Sequence, residues 1–201
     1  MNNENFFVEY LSKHTSLSNE IITTIIKNSV IKNYSRGTIL LKEGELSNEC
    51  YLIFKGCIRS YLIKDGEEKT IEFYTEEQSV TPVNFGTEAP SEYYFECIED
   101  TIACVGSPQQ ESEMFQKYPQ VESASRVMME KMMADYQTSF ANFKVTSVQD
   151  RYLKIQTERP NLIQRVPQYQ LASYLGVTPE SLSRIRKRLS KKNISYPKST
   201  N

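Results

Sequence analysis

Tryptophan is missing from this 201-residue chain, and histidine occurs once, at position 14. Acid–base relays and His-rich metal sites therefore have almost nothing to draw on. No glycine-rich phosphate loop or nucleophile elbow is present, and the carboxylates lie scattered on polar turns, so an enzyme is disfavoured. No run of about 18 apolar residues exists to span a bilayer. The opening MNNENFFVEY lacks the basic start and small-residue cleavage site of a signal peptide, so a cytoplasmic protein with no membrane partner is expected. Cysteine is sparse as well. Cys50, Cys57, Cys97 and Cys104 are far apart with no CxxC pair, and read as buried reduced thiols. Neither a metal nor another cofactor is called for.

What is present is a strong division of charge. Residues 1–143 carry 12 Lys+Arg against 22 Asp+Glu, whereas residues 144–201 carry 12 against 3. An acidic body with a basic tail is the layout expected when only the C-terminal part meets a polyphosphate. The length suits two small domains, each with its own core.

The tail contains the most telling stretch, QYQLASYLGVTPESLSRIRKRL, residues 168–189. Leu171, Ala172 and Leu175 form one helical face, and Gly176 ends that helix. Thr178 is a natural N-cap, Pro179 suits the first helical position, and Glu180 complements the dipole of the helix that follows. Its inward face is Leu182, Ile185 and Leu189, so Glu180, Ser183, Arg184 and Lys187 point the other way. Two short helices about a glycine turn, the second with a charged and hydrogen-bonding outer face, make the helix-turn-helix pattern that enters the DNA major groove.

Upstream, residues 4–30 show helical spacing, with Phe6, Phe7, Tyr10 and Leu11 followed by Ile21, Ile22, Ile25 and Ile26. Ser18 is placed to cap the second of two short helices, and His14 is expected at the surface. From Ile31 to Val105 the texture becomes short β-rich runs: 38–41, 50–54, 57–63, 69–74, 93–98 and 101–106. Asp65-Gly66, between two such runs, is a hairpin signal. Residues 109–143 turn helical again, with two apolar stripes after Pro119. Met129, Met133, Tyr136, Phe140 and Phe143 make one, and Val121, Ala124, Met128 and Met132 the other. A helix with two apolar faces packs on two partners. A further helix is expected at 147–158, packing through Tyr152, Leu153 and Ile155 and ended by Arg159-Pro160. Residues 161–167 read as a lead into the motif, and Ile194 with Tyr196 as one short strand.

The pattern GTILLKEGELSNECYLIFKGCIRSYLIKDGEEKTIEFY, with turn glycines at 37, 44 and 56, resembles the cyclic-nucleotide-binding domain. Joined to the C-terminal motif, residues 5–196 resemble a bacterial Crp/Fnr-type transcription regulator. The resemblance implies an α+β fold in three parts. Residues 1–118 would be an antiparallel, jelly-roll-like β-roll sensor with flanking helices. Residues 119–143 would be a long connecting and dimerisation helix. Residues 144–201 would be a DNA-binding domain with a truncated wing. In that family the long helix pairs with its twin, so Val121, Met128, Met129, Met132, Met133, Tyr136 and Phe140 are the dimer candidates.

Cyclic-nucleotide binders hold the phosphate with an arginine, whose planar fork pairs bidentately with it. The corresponding stretch here, residues 79–100, has no arginine or lysine and holds Glu88, Glu92, Glu96, Glu99 and Asp100. Cyclic AMP is therefore not the expected effector, because a phosphate beside uncompensated carboxylates is destabilised. Val83, Phe85, Tyr93 and Tyr94 are candidates for an apolar pocket for some other small molecule, although the same spacing serves a plain core. No cysteine precedes Cys50 and His14 stands alone, so the iron–sulfur and haem branches of the family are disfavoured.

Carried over from the family, the base-reading positions are Pro179, Glu180 and Arg184. Arg184 matches the two major-groove acceptors of guanine, Glu180 accepts from a cytosine amino group, and Pro179 offers no side-chain hydrogen bond. Gln168, Tyr169, Thr178, Ser181, Ser183, Lys187 and Arg188 fall where phosphates pass. The implied partners are double-stranded DNA with a palindromic site, a second copy of the chain, RNA polymerase and an unidentified effector. The competing reading is a small-molecule sensor module whose basic C-terminus binds another protein.

Overall fold

A computed structural model describes residues 3–194, apart from the side chains of Asn3, Glu4, His14 and residues 191–194. The expectations for the His14 side chain and for a strand at Tyr196 fall outside the described residues. Two helices, α1 (Asn3–His14) and α2 (Asn19–Lys27), precede eight strands. These are β1 (Val30–Tyr34), β2 (Ile39–Leu41), β3 (Cys50–Lys55), β4 (Ile58–Lys64), β5 (Glu67–Tyr74), β6 (Ser79–Val80), β7 (Tyr94–Cys97) and β8 (Thr101–Gly106). Then come α3 (Pro108–Lys117), α4 (Pro119–Val145), α5 (Val148–Glu158), α6 (Pro160–Arg165), α7 (Gln168–Tyr174) and α8 (Pro179–Ile194). The fold is mixed, with antiparallel sheets and flanking helices. Among the described residues no helix is long and apolar enough to cross a membrane.

The strands make two four-stranded antiparallel sheets, ordered β1-β8-β3-β6 and β2-β7-β4-β5. Period-two alternation decides what each face meets. Tyr51 and Ile53 of β3 point between the sheets, where they join Ile58, Val80, Phe95, Cys97, Ala103 and Val105. Leu52 and Phe54 leave on the opposite face and are covered by Phe7, Leu11 and Ile22 of α1 and α2. Ser18 caps α2 by accepting from the Ile21 amide.

Asp65 and Gly66 both take positive φ, 55° and 77°, and close the β4–β5 hairpin with Lys64 opposite Glu67. That is the twist a two-residue hairpin needs. Gly56 is held more tightly. At φ +105° a Cβ there would stand 2.5 Å from Thr101 Oγ1 and 2.7 Å from the Asp100 carbonyl oxygen.

A third cluster joins Cys57, Phe73 and Ile98 of the sheet domain to Tyr152, Ile155, Leu162, Val166, Leu171, Leu175 and Leu182. The C-terminal helices thus share one core with each other and lean it against the second sheet. Four local expectations need correcting. β1 and β6 were not legible, because β1 alternates weakly and β6 is two residues long. Residues 160–165 form α6, started by Pro160 at its first position, where the sequence read as a mere lead. Leu153 is exposed, so Tyr152 and Ile155, with Val148 beside them, carry the packing face of α5. Ile194 continues α8 rather than starting a strand.

Burial governs the thiols. Cys57 and Cys97 are fully buried, Cys50 and Cys104 partly, and all four are free. Loss of solvent pushes the Cys97 thiol up to about 11 and Cys57 up to about 12, which makes both poor nucleophiles.

Candidate nucleic-acid interface

The helix pair is built as its sequence requires. α7 ends at Tyr174 with Leu175 as its C-cap, and Gly176 takes φ 73°, letting the Val177 amide bond back to the Ala172 carbonyl at 2.9 Å. Thr178 then caps α8, its hydroxyl accepting from the Ser181 amide at 3.3 Å. Leu182 and Ile185 are buried against Leu171, Ala172 and Leu175, with Leu189 packed at the edge. This inner face fixes the roll angle of α8 and so decides what the outer face presents.

Pro179, Glu180, Ser183, Arg184, Lys187 and Arg188 are all exposed on that outer face, with Ser181 half-buried beside the cap. Arg184, Lys187 and Arg188 have no ion-pair partner among the described residues, whereas Arg186 is spent on a hydrogen bond to Gln168. Gln168 and Tyr169 are exposed at the start of α7. The Glu180 carboxyl is held below its usual value by its own backbone amide, then by the Thr178 hydroxyl and Arg184, so it stays an ionised acceptor. Among the described residues, three cations without an ion-pair partner and one acceptor stand on one side of a 16-residue rod.

The long helix α4 separates the two stripes that the sequence left equivalent. Val121 is buried, Met128 packs on the α1–α2 cluster, and Ala124 and Met132 are half-buried, so this stripe belongs to the chain's own interior. Met129, Met133, Tyr136, Phe140 and Phe143 are exposed, from 47% for Phe143 to 65% for Met129. Tyr136 nevertheless shares a hydrogen bond with Tyr74 of β5.

The four pocket candidates do not converge. Val83 is 78% exposed and Phe85 half-buried. Tyr93 packs on the cluster between the sheets, while Tyr94 leaves on the other face and stacks on Tyr61 with ring centres 4.9 Å apart. Successive side chains on a strand must diverge in this way. A cleft of about 430 Å³ opens elsewhere, between β1, β8 and α3, lined by Val30, Lys32, Glu49, Ser107 and Gln110 among others.

Two of the five carboxylates of residues 79–100 prove to be compensated, which corrects the repulsion argued from sequence for those two. Glu96 accepts from the buried Arg59 at 2.7 Å, and Glu99 accepts from Arg165 at 2.9 Å. Arg59 also bonds Glu68 at 2.5 Å and stands 4.1 Å over the Tyr61 ring, on the outer side of its sheet. Its Nη2 is thus shared by two carboxylates, while its Nε is buried without a hydrogen-bond partner.

Three further arginines were missed because the tail's charge was read as facing outward. Arg151 donates to the carbonyls of Phe143, Thr146 and Leu175 at 3.0, 2.9 and 3.1 Å, tying the end of α4 to the turn of the helix pair. Arg159 reaches Glu72 at 3.0 Å, and Arg165 reaches Glu76 at 2.8 Å as well as Glu99. Each sits next to an apolar or proline position, Tyr152, Pro160 or Val166, and that neighbourhood was the available signal.

Residues 31–118 match the family model of the cyclic nucleotide-binding domain. No curated protein matches the chain. Among solved structures, the chain is similar to CLP of Xanthomonas campestris, described as a c-di-GMP responsive global regulator. The identity is 18% and the TM-score 0.68, over 90% of this chain and 96% of that one. It is similar to FixK2 from Bradyrhizobium japonicum at 19% identity and TM-score 0.68, covering 86% and 89% of the two chains. A CooA mutant from Carboxydothermus hydrogenoformans is similar at 14% identity and TM-score 0.64, covering 92% and 84%. At such identities the likeness is one of fold, and it takes in most of each chain. Residues 31–118 are therefore similar to a cyclic nucleotide-binding domain, set in a fold the chain shares with these solved proteins.

Proposed function

We propose that the protein is a sequence-specific, double-stranded-DNA-binding transcription regulator of the Crp/Fnr type, acting as a homodimer. The observation that carries this reading is the outer face of α8, where Arg184, Lys187 and Arg188 are exposed beside Glu180 with no ion-pair partner among the described residues, while the inner face is buried. A 16-residue helix is about 24 Å long, enough to lie across the major groove with its first turns against base edges. Arg184 reads guanine and Glu180 a cytosine amino group, with Pro179 shaping the entry. Gln168, Tyr169, Thr178, Ser181, Ser183, Lys187 and Arg188 set the register on phosphates.

Residues 1–118 then act as sensor, 119–143 as the dimerising connection and 144–201 as the DNA-binding part. The exposed stripe Met129, Met133, Tyr136 and Phe140 is the dimer seam, since four large apolar side chains on one face of a rod favour a matching rod. Two recognition helices then fall about 34 Å apart, which calls for a palindromic site. Cyclic AMP is not the effector in this reading. Residues 79–100 contain no arginine or lysine, and Arg59 is paired. RNA polymerase and an unidentified small molecule are the remaining partners.

Selection of duplexes from a random library by the purified protein, with and without a metabolite extract, tests the proposal. A shared palindrome is expected, and the preference for it over a scrambled duplex is expected to weaken in Arg184→Ala by about 1 to 3 kcal/mol. Recovery of no common sequence in either condition would sink it.

A further inference from the structure

β5 is the outer strand of its sheet, so one side of it presents backbone groups with no neighbouring strand. Such an edge is a liability unless something covers it. Here the cover comes from the C-terminal helices, and it works by hydrogen bonds to the strand backbone itself. The Thr70 amide donates to Ser173 Oγ of α7 at 2.9 Å, and that hydroxyl reaches the Glu68 carbonyl at 3.3 Å. The Phe73 carbonyl accepts from Arg159. Flanking these, Arg159 and the Tyr174 hydroxyl both engage Glu72, at 3.0 and 3.2 Å. Arg165 donates to Glu76, Glu99 and the Gly56 carbonyl, at 2.8, 2.9 and 2.9 Å.

We propose that the free edge of β5 is an intramolecular docking seat for the C-terminal helices, and that Arg159 and Arg165 form an ionic clasp that holds α5–α8 on it and can release them as one unit. Release is built into the chemistry of the seat. The clasp side chains keep between 24% and 37% of their exposure, so salt reaches them. The apolar contact from the sheet side is narrow, consisting of Cys57, Phe73 and Ile98. Polar interfaces of this kind between domains open readily. The unit that leaves is coherent, since α5, α6, α7 and α8 share their own core. The pivot is Thr146, where α4 ends and Arg151 still grips the Phe143 and Thr146 carbonyls. Undocking turns α8 to a new direction relative to α4, so the clasp sets how the DNA-reading face is aimed. That last consequence rests on the regulator reading, but the docking does not.

Hydrogen exchange on the full chain without DNA tests the clasp. The probe is the Thr70 amide, normalised to amides of β3 in the other sheet. In Arg159→Gln/Arg165→Gln, Thr70 is expected to exchange about tenfold faster or more, with β3 unchanged. The same change is expected in the unmodified protein between about 0.1 and about 1 M salt, over which the screening length falls from about 10 to about 3 Å. If the double variant does not fold, the salt series decides alone. Thr70 exchange that tracks β3 in the variant or, failing that, across the salt series overturns the proposal. Because no DNA is present, a failed duplex selection leaves this result standing, and a rigid Thr70 leaves the DNA reading standing.

Discussion

Arg184 and Arg165 come from the same basic segment and end in opposite environments. Arg184 is exposed on α8 with no ion-pair partner among the described residues, while Arg165 is ringed by Glu99, Glu76 and the Gly56 carbonyl, and Glu99 and then Glu76 hold its guanidinium well above its usual pKa. Replacing Arg184 by Ala should leave stability within about 0.5 kcal/mol, because its side chain is exposed. It should cost about 1 to 3 kcal/mol of discrimination between the selected duplex and a scrambled one, measured by paired titrations. Gly56 is the reverse case, a residue with no functional group and little tolerance. An added Cβ meets Thr101 Oγ1 at 2.5 Å, in a backbone conformation that L-residues avoid. Gly56→Ala should therefore destabilise by about 2 to 4 kcal/mol in denaturant titrations, against about 1 kcal/mol for Gly37→Ala, where the space is open and only the φ strain remains.

At the scale of elements, α8 is held by its buried face and α4 by one of its two. Leu182 is 1% exposed at the contact of α8 with α7, so Leu182→Ala should cost about 2 to 5 kcal/mol and loosen α8 before the sheets melt. Met133→Glu tests the open stripe of α4. Its side chain is 64% exposed, so the folded chain should keep its melting temperature while sedimentation shifts from dimer to monomer. The seat on β5 carries a pH signature. Burial acts to raise the Glu76 carboxyl, but Arg165 and the Gly56 amide outweigh it and leave its pKa below the usual value. A depressed carboxylate contributes stability above its unfolded pKa, and this is lost as pH falls through the folded value. Glu76 faces Arg165, with Glu99 across the same guanidinium and the Cys57 thiol behind. Acid should thus weaken docking below about pH 4, and Glu76→Gln should flatten the acid limb of the melting-temperature profile.

For the whole molecule, the split of charge is used twice. Residues 144–201 hold 12 cations against 3 anions, a balance that reads as a tail reserved for polyphosphate. Two of those cations, Arg159 and Arg165, are turned inward onto Glu72, Glu76 and Glu99 of the acidic body, and Arg151 onto backbone carbonyls. Among the described residues, Arg184, Lys187 and Arg188 are exposed with no ion-pair partner and face solvent together on α8. Binding to duplex should accordingly weaken steeply with salt, with a slope near −0.9 per phosphate contacted. Lys187→Ala should lower that slope by about 1 while leaving sequence preference intact.

The chain's own pattern determined the helix pair down to its cap, because turn chemistry and helical spacing are local. Gly176, Thr178, Pro179 and the triad Leu182, Ile185 and Leu189 each act within a few residues of where they stand. It likewise determined the Asp65-Gly66 hairpin and most strands. Tertiary structure alone decided which stripe of α4 turns inward and that Tyr93 and Tyr94 part company. It also decided which arginines of the tail are free and that Glu96 and Glu99 have partners. Those outcomes depend on surfaces brought together from distant parts of the chain. A side chain's partner across 66 or 89 residues leaves no periodic trace in sequence.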